Sequence, residues 1–260
     1  MFIFKSKKRN AFNCIMAILM FIISANSNAQ LKKPTLPDSI FSTYYHQRVS
    51  HFKTLPKTTN DIVFVGNSIS DGGEWSELFA DIRIKNRGIS GDISAGVLNR
   101  IDEIADRKPK KVFVMIGTND LSRNTSTDSI FKNITKITSY LKQESPSTKV
   151  YVQSVLPVND VHKKFGGHTS KGEQIKLLNA TLKQNATAYN FTFIDLHTPF
   201  CDANGKLNKN LTNDGLHLTG EGYLLSKHLV YPLVFDLETK PSLLPKPQQL
   251  KWNTGYFSIA

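Results

Sequence analysis

Short apolar runs recur along the chain and are separated by longer, mainly polar segments. The clearest run, at 62–65, reads Ile-Val-Phe-Val and is followed by Gly66-Asn67-Ser68, which predicts a buried strand and then a turn. Four further runs have similar length and β-branched or aromatic content, although the one at 82–85 is weaker. Five strands are therefore predicted, at 62–65, 82–85, 112–116, 150–152 and 191–196.

The segments between these runs carry apolar residues at helical spacing. Each stripe recurs every three or four positions, which places its side chains on one helix face and turns that face toward a sheet. A last apolar segment, 223–235, predicts a closing helix. Because strands alternate with helices, we predict right-handed crossovers and a three-layer α/β/α sandwich with a mostly parallel sheet. The stripes are Ile93, Val97, Ile101 and Ile104; Ile130, Ile134, Ile137 and Leu141; and Ile175, Leu178, Leu182 and Ala186.

The N-terminus has a different pattern. Four basic residues precede an apolar run at 12–23, and the small residues Ser27 and Ala29 follow it. This order is typical of a signal peptide cleaved before Gln30, and it predicts export to the periplasm or out of the cell. A retained membrane anchor is the alternative, but the run is shorter than the roughly 20 residues that span a bilayer. No stable membrane span is therefore expected after cleavage.

Charge and cysteine content exclude several classes of function for this chain. Removal of residues 1–29 takes away four basic side chains and no acidic ones, which lowers the formal net charge from +12 to +8. The remaining Lys and Arg residues are scattered, so no nucleic-acid partner is expected. Cys201 is the single cysteine of the exported chain, which excludes an intramolecular disulfide. Neither Cys-x-x-Cys nor His-Glu-x-x-His occurs, and no metal site is predicted.

Polar residues cluster just after the predicted strands, where ligands lie in open parallel sheets. A serine hydroxyl needs a base within hydrogen-bond reach, and that base needs an orienting group. Ser68 follows the first strand, and Asp214 and His217, three residues apart on a glycine-containing loop, can fill the other two roles. Taken singly, each residue also has an ordinary structural interpretation, since strand-end serines often cap helices and Asp-Gly pairs often form turns.

Four motifs in chain order resemble those of the SGNH, or GDSL-like, hydrolases. They are Gly-Asn-Ser-Ile-Ser with Ser68, Gly-Ile-Ser-Gly-Asp with Gly91, Gly-Thr-Asn-Asp with Asn119, and Asp-Gly-Leu-His with His217. The resemblance implies a flavodoxin-like sheet, Ser68 as nucleophile, and an oxyanion hole formed by the backbone N–H groups of Ser68 and Gly91 and the side-chain amide of Asn119. It also implies that Asp214 orients His217 as the base and that no cofactor is needed.

Two features distinguish the chain from related patterns. The residue before the nucleophile is commonly Asp in the family and is Asn67 here, which alters the local hydrogen-bond network without removing a catalytic group. The Gly-x-Ser-x-Gly motif of α/β-hydrolases is absent, which argues against that other serine-esterase fold. Candidates for contact with the substrate or the site loops are Asn67, Trp75, Arg87, Asp92 and Asp120, although a tryptophan near a strand end more often belongs to the core.

The tail beyond Thr239 differs in character from the rest of the chain. It is rich in proline, and its sequence Leu-Leu-Pro-Lys-Pro-Gln-Gln-Leu-Lys-Trp resembles the opening of the N-terminal domain of family-20 β-hexosaminidases. A disordered or strand-like tail is the alternative. The predicted organisation is a signal peptide at 1–29, an N-terminal extension at 30–59, a hydrolase domain at 60–236, and a linker with the start of a second domain at 237–260.

The motifs around Ser68, Gly91 and His217 are most similar to those of exported bacterial acetylesterases, including sialate O-acetylesterase-like proteins. The resemblance implies removal of short acyl groups, in particular O-acetyl groups, from a small ester or an O-acetylated glycan through an acyl-enzyme. Two alternatives stay open: a general short-chain lipase, thioesterase or lysophospholipase that uses the same residues, and a catalytically silent glycan-binding domain. The sequence does not indicate the oligomeric state.

Overall fold

The computed structural model describes residues 37–237, so the predicted signal peptide and nearly all of the predicted C-terminal linker lie outside the described residues. Five strands are present there, and each overlaps its predicted run: β1 (Ile62–Gly66), β2 (Ile84–Gly88), β3 (Lys111–Met115), β4 (Lys149–Gln153) and β5 (Thr192–Ile194). They form one sheet in the order β2-β1-β3-β4-β5, and every neighbouring pair is parallel. This is the flavodoxin-like order, and the predicted fold class is confirmed.

Helices cover both faces of this sheet. Within residues 37–237, no helix is both long enough and apolar enough to cross a membrane. The helices of the described region are α1 (Thr43–Thr54), α2 (Ser68–Asp71), α3 (Trp75–Phe79), α4 (Ser94–Asn99), α5 (Ile101–Ala105), α6 (Thr118–Ser122), α7 (Thr127–Glu144), α8 (Gly166–Thr169), α9 (Gly172–Asn185), α10 (His197–Phe200) and α11 (Gly220–Val234), with short 3-10 turns at Asp38–Ile40, Asp160–His162 and Lys209–Leu211.

The alternation of side chains along the strands divides the core into two layers. Val63 and Val65 of β1 are fully buried on the face covered by α4, α5, α7 and α9. Phe64 points to the other face, which is covered by α3, α10 and α11. There its ring stacks on that of Phe113 in β3, with centroids 4.9 Å apart, and on that of Trp75 at 4.4 Å. The sheet is therefore buried on both faces, as its apolar runs predict.

The helix predicted from the stripe at 93–104 is interrupted. It forms α4 and α5, which meet at Arg100, where the backbone leaves helical geometry at φ −107° and ψ 12°. The Arg100 side chain is buried; its guanidinium donates to Asp92 Oδ2 and to the backbone carbonyls of Gly66 and Arg87. The interruption thus places a guanidinium beneath the carboxyl ends of β1 and β2, which an apolar stripe does not reveal.

Helix α1 lies in the predicted N-terminal extension, for which the sequence indicated no element. Its Tyr45 and Phe52 side chains are buried in a small cluster with Ile89. Arg107, from the hydrolase domain, donates to the backbone carbonyls of Phe52 and Leu55. The described part of the extension therefore packs against the hydrolase domain.

The closing helix is anchored by a buried lysine. The Lys111 side chain is completely buried, and its ammonium donates to the backbone carbonyls of Leu233 and Val234 at the end of α11. The same ammonium lies 2.9 Å from the Asp236 carboxylate, which also pairs with the exposed Lys149. Because the last carbonyls of a helix have no partner within it, Lys111 caps α11 from the first residue of β3.

We expect Lys111→Met to lower the free energy of unfolding by about 1.5–3 kcal/mol, the usual range for hydrogen bonds from a charged donor. Methionine fills much of the same space but leaves the carbonyls of Leu233 and Val234 without their donor. Chemical denaturation measures the change. The matched control is Lys149→Met, which removes an exposed partner of the same carboxylate and should change stability little. A Lys111→Met protein as stable as the original would show that the cost of burying the ammonium equals its benefit as a cap.

Candidate active site

Ser68 lies at the carboxyl end of β1, an interior strand of the sheet. β1 ends at Gly66, and the side chain of Asn67 accepts a hydrogen bond from the backbone N–H of Ile69 at 3.1 Å, which caps α2. Ser68 is the first residue of that helix, and no acceptor for its backbone N–H is present among the described residues. The turn therefore presents the Ser68 hydroxyl and its N–H group at the edge of the sheet.

The structure brings Ser68, His217 and Asp214 together. Ser68 Oγ lies 3.0 Å from His217 Nε2, and His217 Nδ1 lies 2.7 Å from Asp214 Oδ2. The other carboxylate oxygen, Asp214 Oδ1, accepts the backbone N–H groups of Leu216 and His217, both at 2.8 Å. With a proton on Nδ1, the imidazole donates to the carboxylate and turns an unprotonated Nε2 toward the serine hydroxyl. This is the geometry of a serine nucleophile, a base and an orienting carboxylate.

A tight turn fixes the loop that carries the acid and the base. Gly215 adopts φ +87°, and a Cβ atom there would lie 1.8 Å from the backbone oxygen of Asn159. The Asn159 N–H donates to the Gly215 carbonyl at 2.9 Å, and the Thr212 hydroxyl accepts the Gly215 N–H at the same distance. Glycine is therefore required between Asp214 and His217, both for its backbone conformation and for the close approach.

The charge state of Asp214 suits this role. Partial burial raises the pKa of its carboxyl. The hydrogen bonds from the His217 side chain and from the backbone N–H groups together lower that pKa by a larger amount. The net effect holds the pKa of Asp214 below its ordinary value. The carboxylate is thus ionised at neutral pH and can accept a hydrogen bond from the Nδ1–H group of His217.

Gly91 lies in the loop after β2, next to the end of β1. It adopts φ +81°, and the space where a side chain would stand is open to 4 Å. The preceding Ser90 N–H is bound to the Asp71 carboxylate at 3.1 Å, whereas the Gly91 N–H has no acceptor within the described part of the chain. The loop therefore leaves one backbone donor without a protein partner in the described region, near the end of β1.

Three hydrogen bonds tie the same loop to α6 and the residue that follows it. Asn119 Nδ2 donates to the backbone carbonyl of Asp92 at 2.8 Å, and the Asp120 carboxylate accepts the Ser94 N–H at 3.0 Å. Arg123 donates to the Gly91 carbonyl at 2.9 Å. The second and third family motifs are thus joined to each other. One proton of the Asn119 amide remains without an acceptor among the described residues.

The five candidates for substrate contact are buried, and the structure gives each a partner within the protein. Trp75 stacks on Phe64 and donates to the Ser70 carbonyl, and Arg87 pairs with Glu103. None of these residues is more than 4% exposed, so their burial favours contact with the site loops or the core over contact with the substrate. The five are Asn67, Trp75, Arg87, Asp92 and Asp120.

The two buried aspartates beneath the site have raised pKa values. Burial raises the pKa of Asp92 to about 6, although its contacts with Arg100 oppose that change. Burial likewise raises the pKa of Asp120, and hydrogen bonds from Ser94 oppose it. Both carboxylates act as hydrogen-bond acceptors that hold loop N–H and side-chain groups in place. Within residues 37–237, no group of three or more His, Cys, Asp or Glu side chains is arranged to hold a metal ion.

Sequence reasoning missed the segment that follows β4. Phe165 and His168 lie there, and the ring of Phe165 meets that of His217 edge to face at 5.1 Å. His168 Nε2 lies 2.9 Å from Asn119 Oδ1. Ligands lie beyond the carboxyl ends of parallel strands, and this rule applies to β4 as well as to β1, β2 and β3. Applied to β4, it would have indicated that the segment after this strand belongs to the site.

Comparison with known proteins gives the family. The model of the GDSL-like lipase/acylhydrolase family matches residues 64–225, which is more than half of the chain. The platelet-activating factor acetylhydrolase IB subunit alpha2 of Homo sapiens is 30% identical over 183 residues, which cover 68% of this chain and 77% of that protein. The N-acylneuraminate cytidylyltransferase of Escherichia coli is 29% identical over 193 residues, which cover 73% of this chain. The chain spans only 44% of the length of that second relative.

Solved structures agree with this assignment. A GDSL-like lipase from Bacteroides thetaiotaomicron superposes with a TM-score of 0.65 at 28% identity, covering 75% of this chain and 98% of that one. The family match includes Ser68, Gly91, Asn119 and His217, which the structure places along one edge of the sheet. The chain therefore belongs to the GDSL-like lipase/acylhydrolase family, whose members are also called SGNH hydrolases.

Proposed function

We propose that this chain is an exported serine esterase that removes short acyl groups, chiefly O-acetyl groups, from glycans such as O-acetylated sialic acid. As a member of its family the chain is an acylhydrolase of ester bonds. The observation that carries the finer proposal is the contact series from Ser68 Oγ to His217 Nε2 at 3.0 Å and from His217 Nδ1 to Asp214 at 2.7 Å. A binding domain has no need of this arrangement.

In the proposed reaction, His217 Nε2 takes the Ser68 hydroxyl proton while Oγ forms a bond to the ester carbonyl carbon. The tetrahedral intermediate collapses, the bond from that carbon to the alcohol oxygen breaks, and His217 returns the proton to the departing alcohol. A water molecule then attacks the acyl-enzyme with His217 again as base. The acid is released and the Ser68 hydroxyl is restored. Asp214 stays ionised throughout and stabilises the imidazolium that forms in each half.

The oxyanion of both half-reactions is proposed to lie among three N–H groups. These belong to the backbones of Ser68 and Gly91 and to the side chain of Asn119, and each has a proton without an acceptor among the described residues. Donors that are already fixed need no reorganisation when charge develops, which is why they stabilise a transition state more than a ground state. The tethers from α6 to the Gly91 loop support this role.

Two relatives support the choice of acyl group and alcohol. One is named an acetylhydrolase, and its name states the removal of an acetyl group from another molecule. The other is named for its action on N-acylneuraminate, which is a sialic acid. The charged and apolar N-terminal pattern supports export, which would bring the enzyme to extracellular glycans.

One observation favours the second candidate, a general short-chain lipase or thioesterase. Phe165 is 44% exposed and Val161 is 58% exposed, in the same segment that contacts His217. Exposed apolar side chains beside a nucleophile can accept an acyl chain longer than acetyl. The two candidates share the residues of the reaction and differ in the acyl group alone.

Replacement of the nucleophile is expected to stop turnover. We expect Ser68→Ala to lower kcat by at least about 10³-fold, because among residues 37–237 no other hydroxyl contacts His217 Nε2 and could form the acyl-enzyme. The free energy of unfolding should stay within about 0.5 kcal/mol, since the hydroxyl contributes little packing. Hydrolysis of p-nitrophenyl acetate measures the first, and chemical denaturation the second. Ser139→Ala, on helix α7, is the matched control; ester hydrolysis that persists in Ser68→Ala would place the nucleophile elsewhere.

A panel of substrates separates the candidate functions. With p-nitrophenyl esters of increasing chain length, we expect kcat/KM to be highest for acetate and to fall as the chain grows. We also expect acetate release from O-acetylated sialic acid, with the Ser68→Ala protein as the blank. A rate that rises with chain length would favour the lipase, and binding of the glycan without acetate release by the unmodified protein would favour the binding domain.

Asn119→Ala is expected to lower kcat by roughly 10²–10³-fold and to leave KM similar, since an oxyanion donor acts mainly in the transition state. Asn119→Asp should be no better, because a carboxylate would face the developing negative charge. Steady-state kinetics on p-nitrophenyl acetate measure both constants. Thermal unfolding is recorded in parallel, because Asn119 also tethers the Asp92 carbonyl. A variant with nearly full kcat and a raised KM would make Asn119 a binding residue instead.

A further inference from the structure

The Asn119 amide is held at both ends. Its Nδ2 donates to the backbone carbonyl of Asp92 at 2.8 Å, and its Oδ1 lies 2.9 Å from His168 Nε2. A backbone carbonyl can only accept, so the amide nitrogen must face Asp92 and the amide oxygen must face His168. An amide oxygen can only accept in turn, so His168 Nε2 must carry a proton. The two contacts together define which way the amide is turned.

His168 is suited to be a neutral donor. Burial lowers the pKa of its imidazole, and the nearby His217 and Arg123 side chains lower it further. At neutral pH the ring is therefore uncharged, and its single proton is on Nε2, where the contact with Asn119 requires it. A charged donor at this place would oppose the imidazolium that the proposed reaction forms on His217. A neutral imidazole supplies the hydrogen bond without that opposition.

The position of His168 is fixed by the backbone around it. Phe165 begins the turn with φ +51°, and its carbonyl accepts the N–H groups of His168 at 2.7 Å and Thr169 at 2.9 Å. The Phe165 ring meets both the His168 and the His217 rings edge to face, with centroids at 5.9 and 5.1 Å. Helix α8 thus presents His168 to the oxygen of the Asn119 amide, whose nitrogen is bound to the Asp92 carbonyl.

We propose that His168 is a positioning residue, which turns the Asn119 amide so that its free proton faces the oxyanion and which acts on the reaction only through Asn119. The inference rests on the proposed function, since it assumes that Asn119 donates to that oxyanion. A hydrogen bond accepted by Oδ1 also polarises the amide and strengthens its N–H groups as donors. If this contact is lost, Asn119 is held by the Asp92 carbonyl alone and can rotate away from the position that the transition state requires.

The test is a double-mutant cycle with a conservative variant. We expect His168→Ala to lower kcat by roughly 10–100-fold, by analogy with the loss of a hydrogen-bond partner that orients a metal ligand, with little change in KM. His168→Gln should recover most of the lost kcat, because its amide nitrogen can donate from nearly the same place. His168→Ala combined with Asn119→Ala should be no slower than Asn119→Ala alone. His228→Ala, an exposed histidine on α11, is the matched control and should leave kcat unchanged.

The results of these variants distinguish failure of the His168 inference from failure of the proposed function. If Asn119→Ala loses kcat but His168→Ala does not, the inference is wrong and the oxyanion role of Asn119 stands. If the two losses multiply in the double variant, His168 acts independently of Asn119 and the inference is again wrong. If Asn119→Ala itself keeps full kcat, the oxyanion assignment fails and the inference fails with it. If His168→Ala lowers the thermal stability so far that kcat cannot be measured, His168→Met replaces it, because methionine fills a similar space and has no hydrogen-bond donor.

Discussion

The proximity of three strand ends in the order β2-β1-β3 is the constraint on which the rest of the site depends. Ser68 follows the central strand, while the Gly91 loop follows one neighbour and Asn119 follows the other. In a parallel sheet these ends lie about 4.8 Å apart, so residues distant in sequence meet at one edge. Strand order alone does not orient a hydrogen-bond donor, however. The bonds from Asn119, Asp120 and Arg123 to the neighbouring loop supply that orientation.

Buried charges beneath this edge also hold the strand ends in place. Arg100 and Asp92 form an ion pair in which neither side chain is more than 2% exposed. A buried ion pair by itself is weak evidence for stability, because removing both charges from water costs about as much as their attraction returns. Here the guanidinium also donates to the carbonyls of Gly66 and Arg87, where β1 and β2 end and the loops begin. Buried carbonyls near the ends of strands need donors. Arg100 supplies one to Arg87 and shares Gly66 with the backbone N–H of Ile89.

The sequence predicts the sheet, and the grouping of Ser68, His217 and Asp214, far better than it predicts what supports them. Strands such as β1 are evident because both faces are buried and the run is continuously apolar. Ser68 and His217 are accessible to inference because they follow strands or lie in a recognisable loop. Helix α1 is not evident in the sequence because it buries only two of its side chains and, apart from Tyr44 and Val49, its other positions are polar. The sequence leaves the partners of Arg87 and Asp92 open, because a charged residue at a strand end carries the same signal whether it meets substrate or the protein interior.

The arrangement of charge around the serine follows from the reaction it would support. In the proposed reaction, His217 would become positive between the ionised Asp214 and the negative charge of the oxyanion, so the charges would alternate in sign along the line of proton transfer. Any further charge at hydrogen-bond distance would favour one stage of the reaction over another. Arg123, the nearby cation, is engaged with the carbonyl of Gly91, and the group that holds the Asn119 oxygen is a histidine whose pKa is lowered. The donors proposed for the oxyanion are therefore neutral, and the alternating charges would be those of Asp214, His217 and the substrate.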